Sequence, residues 1–177
     1  MQEKIVSTQT LYDGRIVKLD LHEVELPNGQ HSKREIVRHP GAVAVVAFDT
    51  EGKVLLVRQY RTAAGKVLLE IPAGTLNPNE PPLDCAVREL QEETGYRPGK
   101  IDSMGGIYTA PGYTTEFIHL FLATDLSESR LQADDDEFIE VVRLPLPEAL
   151  HRIEQGEIVD AKTTSGLLLA SRKMGAS

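Results

Sequence analysis

Cysteine and positive charge are both scarce in this chain. Its 177 residues include a single cysteine, Cys85, so no internal disulfide can form, which fits a reducing compartment such as the cytoplasm. Lysines and arginines number 19 against 27 aspartates and glutamates, and the net charge is −8. This balance argues against nucleic acid or an anionic membrane as a partner. An anionic substrate would have to be received by locally placed arginines or a metal ion.

Long apolar runs, internal repeats and low-complexity linkers are also absent from the sequence. No stretch approaches the length needed to span a membrane, and the residues after Met1 begin no apolar signal segment. The composition, 41% hydrophobic and 26% charged, is that of an ordinary globular protein large enough to bury a core without disulfides. We therefore expect a soluble, cytoplasmic protein.

Patterning predicts β-strands through much of the chain. Residues 1–40 predict an antiparallel β arm, and a Pro-Gly pair separates this arm from a more apolar domain over 41–177. The wholly apolar segment 42–48 predicts a buried strand, and 53–61 is its expected hairpin partner. Shorter strands are predicted at 68–71, 101–109, 116–123 and 138–144.

Two helices are predicted in the last third of the chain, over 147–155 and 161–174. The second is expected to pack through Leu167, Leu168 and Leu169. A sheet flanked by helices belongs to the α/β class.

A third helix, predicted over 82–94, carries acids that stability alone does not explain. Its apolar residues recur at i, i+3, i+4 and i+7 and predict one buried stripe. The stripe consists of Leu83, Ala86, Val87 and Leu90. At about 100° per residue, Glu89, Glu92 and Glu93 fall on a separate arc that faces away from it. Cys85 lies one turn before Glu89 and is expected to be a small packing residue rather than a nucleophile.

Such a group of acids indicates a bound cation. Like charges one turn apart cost about 0.2–0.5 kcal/mol, and carboxylates in a last helical turn oppose the helix dipole. The five histidines show no metal-ligand spacing, so ligation by oxygen alone points to Mg²⁺ or Mn²⁺. The alternative is a solvated acidic face on an acidic protein, which the fixed spacings make less favourable.

These residues resemble the Nudix hydrolase signature. Its charged and glycine positions are filled by Gly74, Glu80, Arg88, Glu89, Glu92, Glu93 and Gly95. Leu90 fills the hydrophobic position, and Tyr96 stands where an aliphatic residue is usual. The resemblance implies an α/β/α sandwich with a mixed sheet, and hydrolysis of a nucleoside diphosphate linked to another group. It also implies divalent metals on this helix, two to three Mg²⁺ or Mn²⁺ ions.

The resemblance also assigns roles within the motif. Glu89, Glu92 and Glu93 are the expected metal ligands, and Glu92 is also counted among the catalytic residues. Gly74 is expected to give the backbone freedom that turns the carbonyl of Ala73 towards the cation, although an ordinary loop glycine is an equal alternative.

Arg88 and Glu80 are expected to support the metal ligands. An arginine fork can hold a carboxylate with two hydrogen bonds and so fix the preceding loop against the helix. Direct contact of Arg88 with phosphate is the less favoured alternative, and either role would place Arg88 with the catalytic residues. Gly95 is expected to be structural.

Features outside the motif resemble the ADP-ribose pyrophosphatase subgroup. Pro111 stands 15 residues past the motif, and the resemblance extends over the Arg-Gln-x-Arg segment ending at Arg61, the Leu-Glu-Ile-Pro-Ala-Gly segment and the N-terminal arm. By this resemblance Arg61 contacts phosphate, and Glu116 contacts a ribose hydroxyl or a partner group. Arg34 would contact the diphosphate or the adenine side.

Hydrolysis also needs a base that deprotonates or orients water. In the resembled subgroup a glutamate on a loop before a strand serves, and Glu137 aligns best with it. Asp135 and Asp136 remain alternatives. The expected reaction is hydrolysis of ADP-ribose to AMP and ribose 5-phosphate.

Two alternative functions remain open, and the chain is expected to form a homodimer. GDP-mannose or ADP-glucose could replace ADP-ribose, and a sensor that binds a nucleotide without cleaving it is a less favoured class because such modules usually lose signature acids. A homodimer is expected, since residues 1–40 hold too few apolar residues for a core of their own and the resembled subgroup packs this arm on the other subunit.

Overall fold

A computed structural model of the chain describes residues 1–129, 131 and 138–175. The chain divides into two compact units, Met1–Gly41 with Tyr108–Phe117, and Ala42–Ile107 with Ile118–Ser177. In the described parts of the chain, no helix is long and apolar enough to cross a membrane.

The first unit contains a three-stranded antiparallel sheet in the order β1-β2-β3. Its strands are β1 (Lys4–Asp13), β2 (Lys18–Glu25) and β3 (His31–Arg38). Every residue of β1 is exposed, so this edge strand contributes no core. The loop 108–117 joins the unit through β3, because the N–H of Val37 donates to the carbonyl of Tyr113 at 2.7 Å.

The second unit is built on a seven-stranded mixed sheet. Five strands follow the order β10-β5-β4-β9-β8, while β6 pairs with β5 and β7 pairs with β4. The strands are β4 (Ala42–Phe48), β5 (Lys53–Arg61), β6 (Lys66–Glu70), β7 (Ala73–Thr75), β8 (Tyr96–Tyr108), β9 (Phe117–Glu128) and β10 (Glu140–Pro145). Strands β4 and β9 run parallel, whereas β4 and β5 run antiparallel. The sequence did not predict β7.

Among the described residues, three helices cover this sheet: α1 (Pro82–Thr94), α2 (Leu146–Glu154) and α3 (Ala161–Lys173). Because side chains alternate along a strand, β4 supplies both layers of the core. Val43 and Val45 pack with Leu90 of α1, whereas Ala44 and Val46 pack with Leu167 of α3. The second unit is therefore an α/β/α sandwich with a mixed sheet, which confirms the predicted fold class.

The buried face of α1 differs from the predicted stripe at two positions. Leu83 is 46% exposed, and Cys85 is fully buried. Glu93 is only 7% exposed, so the three acids do not all face away from the core, as the sequence analysis expected. The reason is β7, whose Ala73 N–H donates to a Glu93 carboxylate oxygen at 3.0 Å and covers that side of the helix.

The predicted packing face of α3 is correct only at Leu167. Leu168 is 49% and Leu169 39% exposed, because successive helical residues point about 100° apart and three in a row cannot share one face. The buried face is completed by small residues, among them Gly166 and Ala170.

Candidate active site

The candidate acids lie in the last turns of α1. The helix ends at Gly95, which adopts the left-handed conformation at φ +79° and donates its N–H to the carbonyl of Gln91 at 3.0 Å. A residue with a β-carbon is strained in this conformation, so Gly95 suits the C-terminal cap. Acids in a last helical turn interact unfavourably with the negative end of the helix dipole. No basic residue lies in the last turn of α1 to offset this interaction.

Arg88 contacts three acids, Glu80 in the loop before α1 and Glu89 and Glu92 on the helix itself. Its Nε and Nη2 donate to the two carboxylate oxygens of Glu80 at 2.8 and 2.9 Å. Its Nη1 donates to Glu89 at 2.7 Å and to Glu92 at 2.8 Å. Glu80 also accepts the N–H of Asn77 at 3.0 Å, so the fork expected from the sequence ties the preceding loop to the helix. The repulsion between Glu89 and Glu92 is thus relieved in part by this guanidinium.

The fork also sets the charge states of its members. The hydrogen bonds from Arg88 lower the pKa of Glu80 from 4.5 to about 2. Glu80 in turn raises the pKa of Arg88. Burial raises the pKa of the neighbouring Cys85 thiol to about 12, so this cysteine is a packing residue.

Gly74 is required by space rather than by backbone freedom. It does not lie at positive φ in the described chain, so the flexibility expected from the sequence is not its reason. A β-carbon at position 74 would stand 1.9 Å from Cδ of Glu89. The missing side chain therefore makes room for the Glu89 carboxylate, which is only 12% exposed.

Glu93 joins the helix to the backbone of β7. One of its carboxylate oxygens accepts the N–H of Ala73 at 3.0 Å, and Ala73 pairs with Ala44 in the sheet. The two candidate ligands Ala73 and Glu93 are therefore held side by side.

Arg61 is fixed from behind by a buried carboxylate that the sequence analysis did not single out. Its Nε and Nη2 donate to Glu70 at 2.9 and 2.7 Å, and Lys162 contacts the same carboxylate. Glu70 raises the pKa of Arg61 most, and Glu93 adds a smaller effect through its charge, so Arg61 lies within electrostatic reach of the acids of α1. Glu70 belongs to the Leu-Glu-Ile-Pro-Ala-Gly segment that carries part of the resemblance, but no sequence pattern pointed to Lys162.

The other expected substrate contacts belong to the first unit. Arg34 pairs with Glu3 through its Nε at 3.1 Å. Glu116 accepts a hydrogen bond from Thr109 at 2.8 Å and has Nε2 of His39 at 3.8 Å. No pattern in the sequence indicated a role for His39.

Pro111 and Glu137 are the remaining residues expected at the site. Pro111 lies in the turn in which the N–H of Thr114 donates to the carbonyl of Ala110 at 3.0 Å. The candidate base Glu137 lies outside the described residues, as do Asp135 and Asp136.

Within the described parts of the chain, no three His, Cys, Asp or Glu side chains are gathered closely enough to hold a metal ion.

Comparison with known proteins places this site in a family. The NUDIX domain model matches residues 37–165, and the model of the nucleoside diphosphate sugar hydrolase N-terminal domain matches residues 3–37. The chain therefore belongs to the NUDIX family and is a Nudix hydrolase. Nudix hydrolases generally use a divalent metal ion.

Curated relatives and a solved structure agree with this assignment. The ADP-ribose pyrophosphatase of Bacillus subtilis is 46% identical over 92% of this chain and 89% of its own. The methanol dehydrogenase activator of Bacillus methanolicus is 48% identical with the same coverage. More distant relatives are named GDP-mannose pyrophosphatase. The fold is shared with a crystal structure of an ADP compounds hydrolase, at TM-score 0.87 and 24% identity over 100% of this chain and 98% of that one.

Proposed function

We propose that this Nudix hydrolase cleaves ADP-ribose into AMP and ribose 5-phosphate in the cytoplasm, with Mg²⁺ or Mn²⁺ as its metal. The observation that carries the proposal is the pairing of Arg88 with Glu89 and Glu92 on α1, with Glu93 of the same helix bound to the backbone of Ala73. The substrate is supported by the relative named ADP-ribose pyrophosphatase, which matches over nearly the whole chain.

The donor set fits a hard divalent cation. Glu89, Glu92 and Glu93 offer carboxylate oxygens only, and Ala73 adds a backbone carbonyl nearby. Since Glu89 and Glu92 each give one oxygen to Arg88, they would bind metal through their other oxygens or after turning away from the guanidinium. Two or three bound ions would neutralise the diphosphate and lower the pKa of a coordinated water.

Other side chains would receive the rest of the substrate. Arg61 would donate to the diphosphate, because a guanidinium matches phosphate oxygens with paired N–H groups. Arg34, Pro111 and Glu116 are proposed as contacts to the nucleotide and ribose. Arg88 would hold the carboxylates in place and supply positive charge beside the reacting phosphate.

Glu137 is the proposed base that takes the proton of the attacking water. The substitution Glu137→Gln is expected to lower kcat while Mg²⁺ affinity stays almost unchanged. Weakened Mg²⁺ binding in this variant would instead make Glu137 a metal ligand.

A homodimer is part of the proposal. Strand β1 exposes large apolar side chains, including Ile5 at 58%, Leu11 at 50% and Tyr12 at 60%. Apolar side chains collected on one segment favour contact with another protein surface, here the second subunit. Sedimentation at micromolar concentration tests this, and a monomer would contradict it.

Another nucleotide sugar is the main alternative, because some relatives are named GDP-mannose pyrophosphatase. The deciding experiment assays ADP-ribose, ADP-glucose and GDP-mannose in parallel, with Mg²⁺ and with EDTA. We expect the highest kcat/KM for ADP-ribose and no turnover with EDTA. A higher kcat/KM for GDP-mannose would make GDP-mannose the substrate in place of ADP-ribose. Binding of every nucleotide without cleavage would make the protein a sensor.

A further inference from the structure

A buried carboxylate lies behind Arg61 and takes no part in the reaction proposed above. Glu70 is 1% exposed and accepts hydrogen bonds from Nε and Nη2 of Arg61 at 2.9 and 2.7 Å. It also contacts Nζ of Lys162. A buried carboxylate is costly unless it is fully paired, and here two cations share it. The two-bond geometry fixes the plane of the Arg61 guanidinium.

The first turn of α3 supplies the second cation. Asp160 caps this helix by accepting the N–H of Thr163 at 2.9 Å, and the same Asp160 oxygen accepts Nζ of Lys162 at 3.0 Å. Lys162 is only 11% exposed and is held between two carboxylates. Lys162 therefore links Glu70 to the first turn of α3.

The same turn of α3 also holds the short segment that leads to Ala73. The hydroxyl of Thr163 accepts the N–H of Ile71 at 2.9 Å. A β-carbon at Gly166 would stand 2.9 Å from Cδ1 of Ile71, so the glycine allows this close contact. Ala73 in turn donates to Glu93. The segment is thus fixed by α3 on one side and by the acidic helix on the other.

We propose that Glu70 and Lys162 are positioning residues for the hydrolysis, holding the guanidinium of Arg61 in the orientation that receives the diphosphate. The inference rests on the proposed function, because it takes Arg61 to bind the substrate. Arg61 is 39% exposed, so its N–H groups that do not bond to Glu70 can reach a ligand. Lys162 acts through Glu70 and touches no substrate.

The test measures binding and turnover in Glu70→Gln, in Arg61→Ala and in the double variant. Calorimetric titration with ADP, which carries the diphosphate, gives an affinity that does not depend on turnover. We expect Glu70→Gln to weaken ADP binding and to raise KM for ADP-ribose about tenfold. The double variant should match Arg61→Ala alone, because Glu70 acts only through Arg61.

A purely structural role would give a different pattern. It would lower the melting temperature and the active fraction while KM and ADP affinity stayed at wild-type values. That pattern overturns the inference. If Glu70→Gln does weaken ADP binding, losses of ADP affinity in Glu70→Gln and Arg61→Ala that multiply in the double variant overturn it as well.

If Glu70→Gln does not fold, substitutions of Lys162 test the inference instead. Lys162→Met should raise KM and weaken ADP binding by about threefold, and Lys162→Arg should restore both. Lys53→Met is the matched control, because Lys53 also pairs with a carboxylate, at 2.6 Å from Glu51 in a hairpin turn. An unchanged KM and ADP affinity in Lys162→Met overturns the inference.

The titration also separates this inference from the proposed function. If the wild type cleaves no nucleotide sugar, the proposed function fails. A loss of ADP affinity in the Glu70 and Lys162 variants would still support the positioning role. An unchanged ADP affinity in these variants would overturn it.

Discussion

The carboxylate of Glu89 occupies the space in which any residue but glycine at position 74 would place its β-carbon. The ideal β-carbon would stand 1.9 Å from Cδ and 2.0 Å from Oε1 of Glu89. Atoms at such distances overlap fully, so any side chain at position 74 would force the carboxylate of Glu89 to move. Gly74 and Glu89 of the signature are therefore a matched pair.

This relationship predicts that Gly74→Ala displaces Glu89 and inactivates the enzyme. We expect kcat to fall about 100-fold, because a displaced carboxylate cannot serve the metal, and stability to fall by about 1–3 kcal/mol. Turnover and thermal melting are measured together. Gly52→Ala is the control: its glycine lies at φ +74° in a turn with open space around it, so it should lose stability at unchanged kcat. Equal kcat losses in both variants would contradict the pairing.

Glu93→Gln is expected to leave the fold intact and to lower kcat at least about 100-fold through lost metal. The amide oxygen of glutamine can still accept the N–H of Ala73, so the link between α1 and β7 is kept. Turnover is measured against Mg²⁺ concentration, with metal binding followed by calorimetry. Near-normal turnover would refute Glu93 as a ligand.

The fork between Arg88 and Glu80 predicts an acid-dependent stability. The pKa of Glu80 is about 2 in the folded protein against an ordinary 4.5, so the unfolded state binds the proton more tightly. The stabilisation is complete above pH 4.5 and is lost as pH falls towards 2. At pH values well above 4.5, Glu80→Gln should therefore have a lower melting temperature than the wild type. This difference in melting temperature should shrink as the pH decreases from 4.5 towards 2.

The matched control for this experiment is Glu148→Gln. Glu148 also pairs with an arginine, Arg152, at 2.7 Å, but its side chain is 45% exposed. Exposed pairs contribute little, so this variant should stay close to wild type at every pH. A difference for Glu80→Gln that does not vary with pH would contradict the role of its charge.

Much of the fold could be predicted because its periodic signals are strong. The apolar segment of β4 and the helix α1 were predicted with their observed ends, Ala42–Phe48 and Pro82–Thr94. Strand β7 was missed because it is three residues long, too short to show a period, and it pairs with β4 far away in sequence. The burial of Glu93 was missed for the same reason, since β7 is what covers it.

The candidate site was predictable in its charged motif but not in its supports. The fork between Arg88 and Glu80 was expected from the signature motif, because both residues belong to that one local segment. Lys162 lies 92 residues from Glu70 along the chain, and only the packing of α3 brings the two together. The role of Gly74 was also hidden, since a sequence shows a missing side chain but not the carboxylate that needs the room.

Helix α3 allows a direct test of which leucine packs the core. Leu167 is fully buried, so Leu167→Ala should cost about 2–5 kcal/mol of unfolding free energy. Leu168 is 49% exposed, and Leu168→Ala should change stability by about 0.5 kcal/mol or less. Denaturant unfolding at constant pH measures both. Equal losses would mean that α3 packs as the sequence first suggested.

Cys85 is expected to report on unfolding of the chain. It is the only cysteine, it is fully buried between α1 and the sheet, and burial raises its thiol pKa to about 12. The thiolate is the nucleophile that attacks labelling reagents, so the folded protein should react with them very slowly at neutral pH and only through opening. The labelling rate should rise in proportion to the unfolded population as denaturant is added. Rapid, complete labelling without denaturant would show that this face of α1 opens freely, and that Arg88, whose Nη2 contacts the sulfur at 3.2 Å, is not held as described.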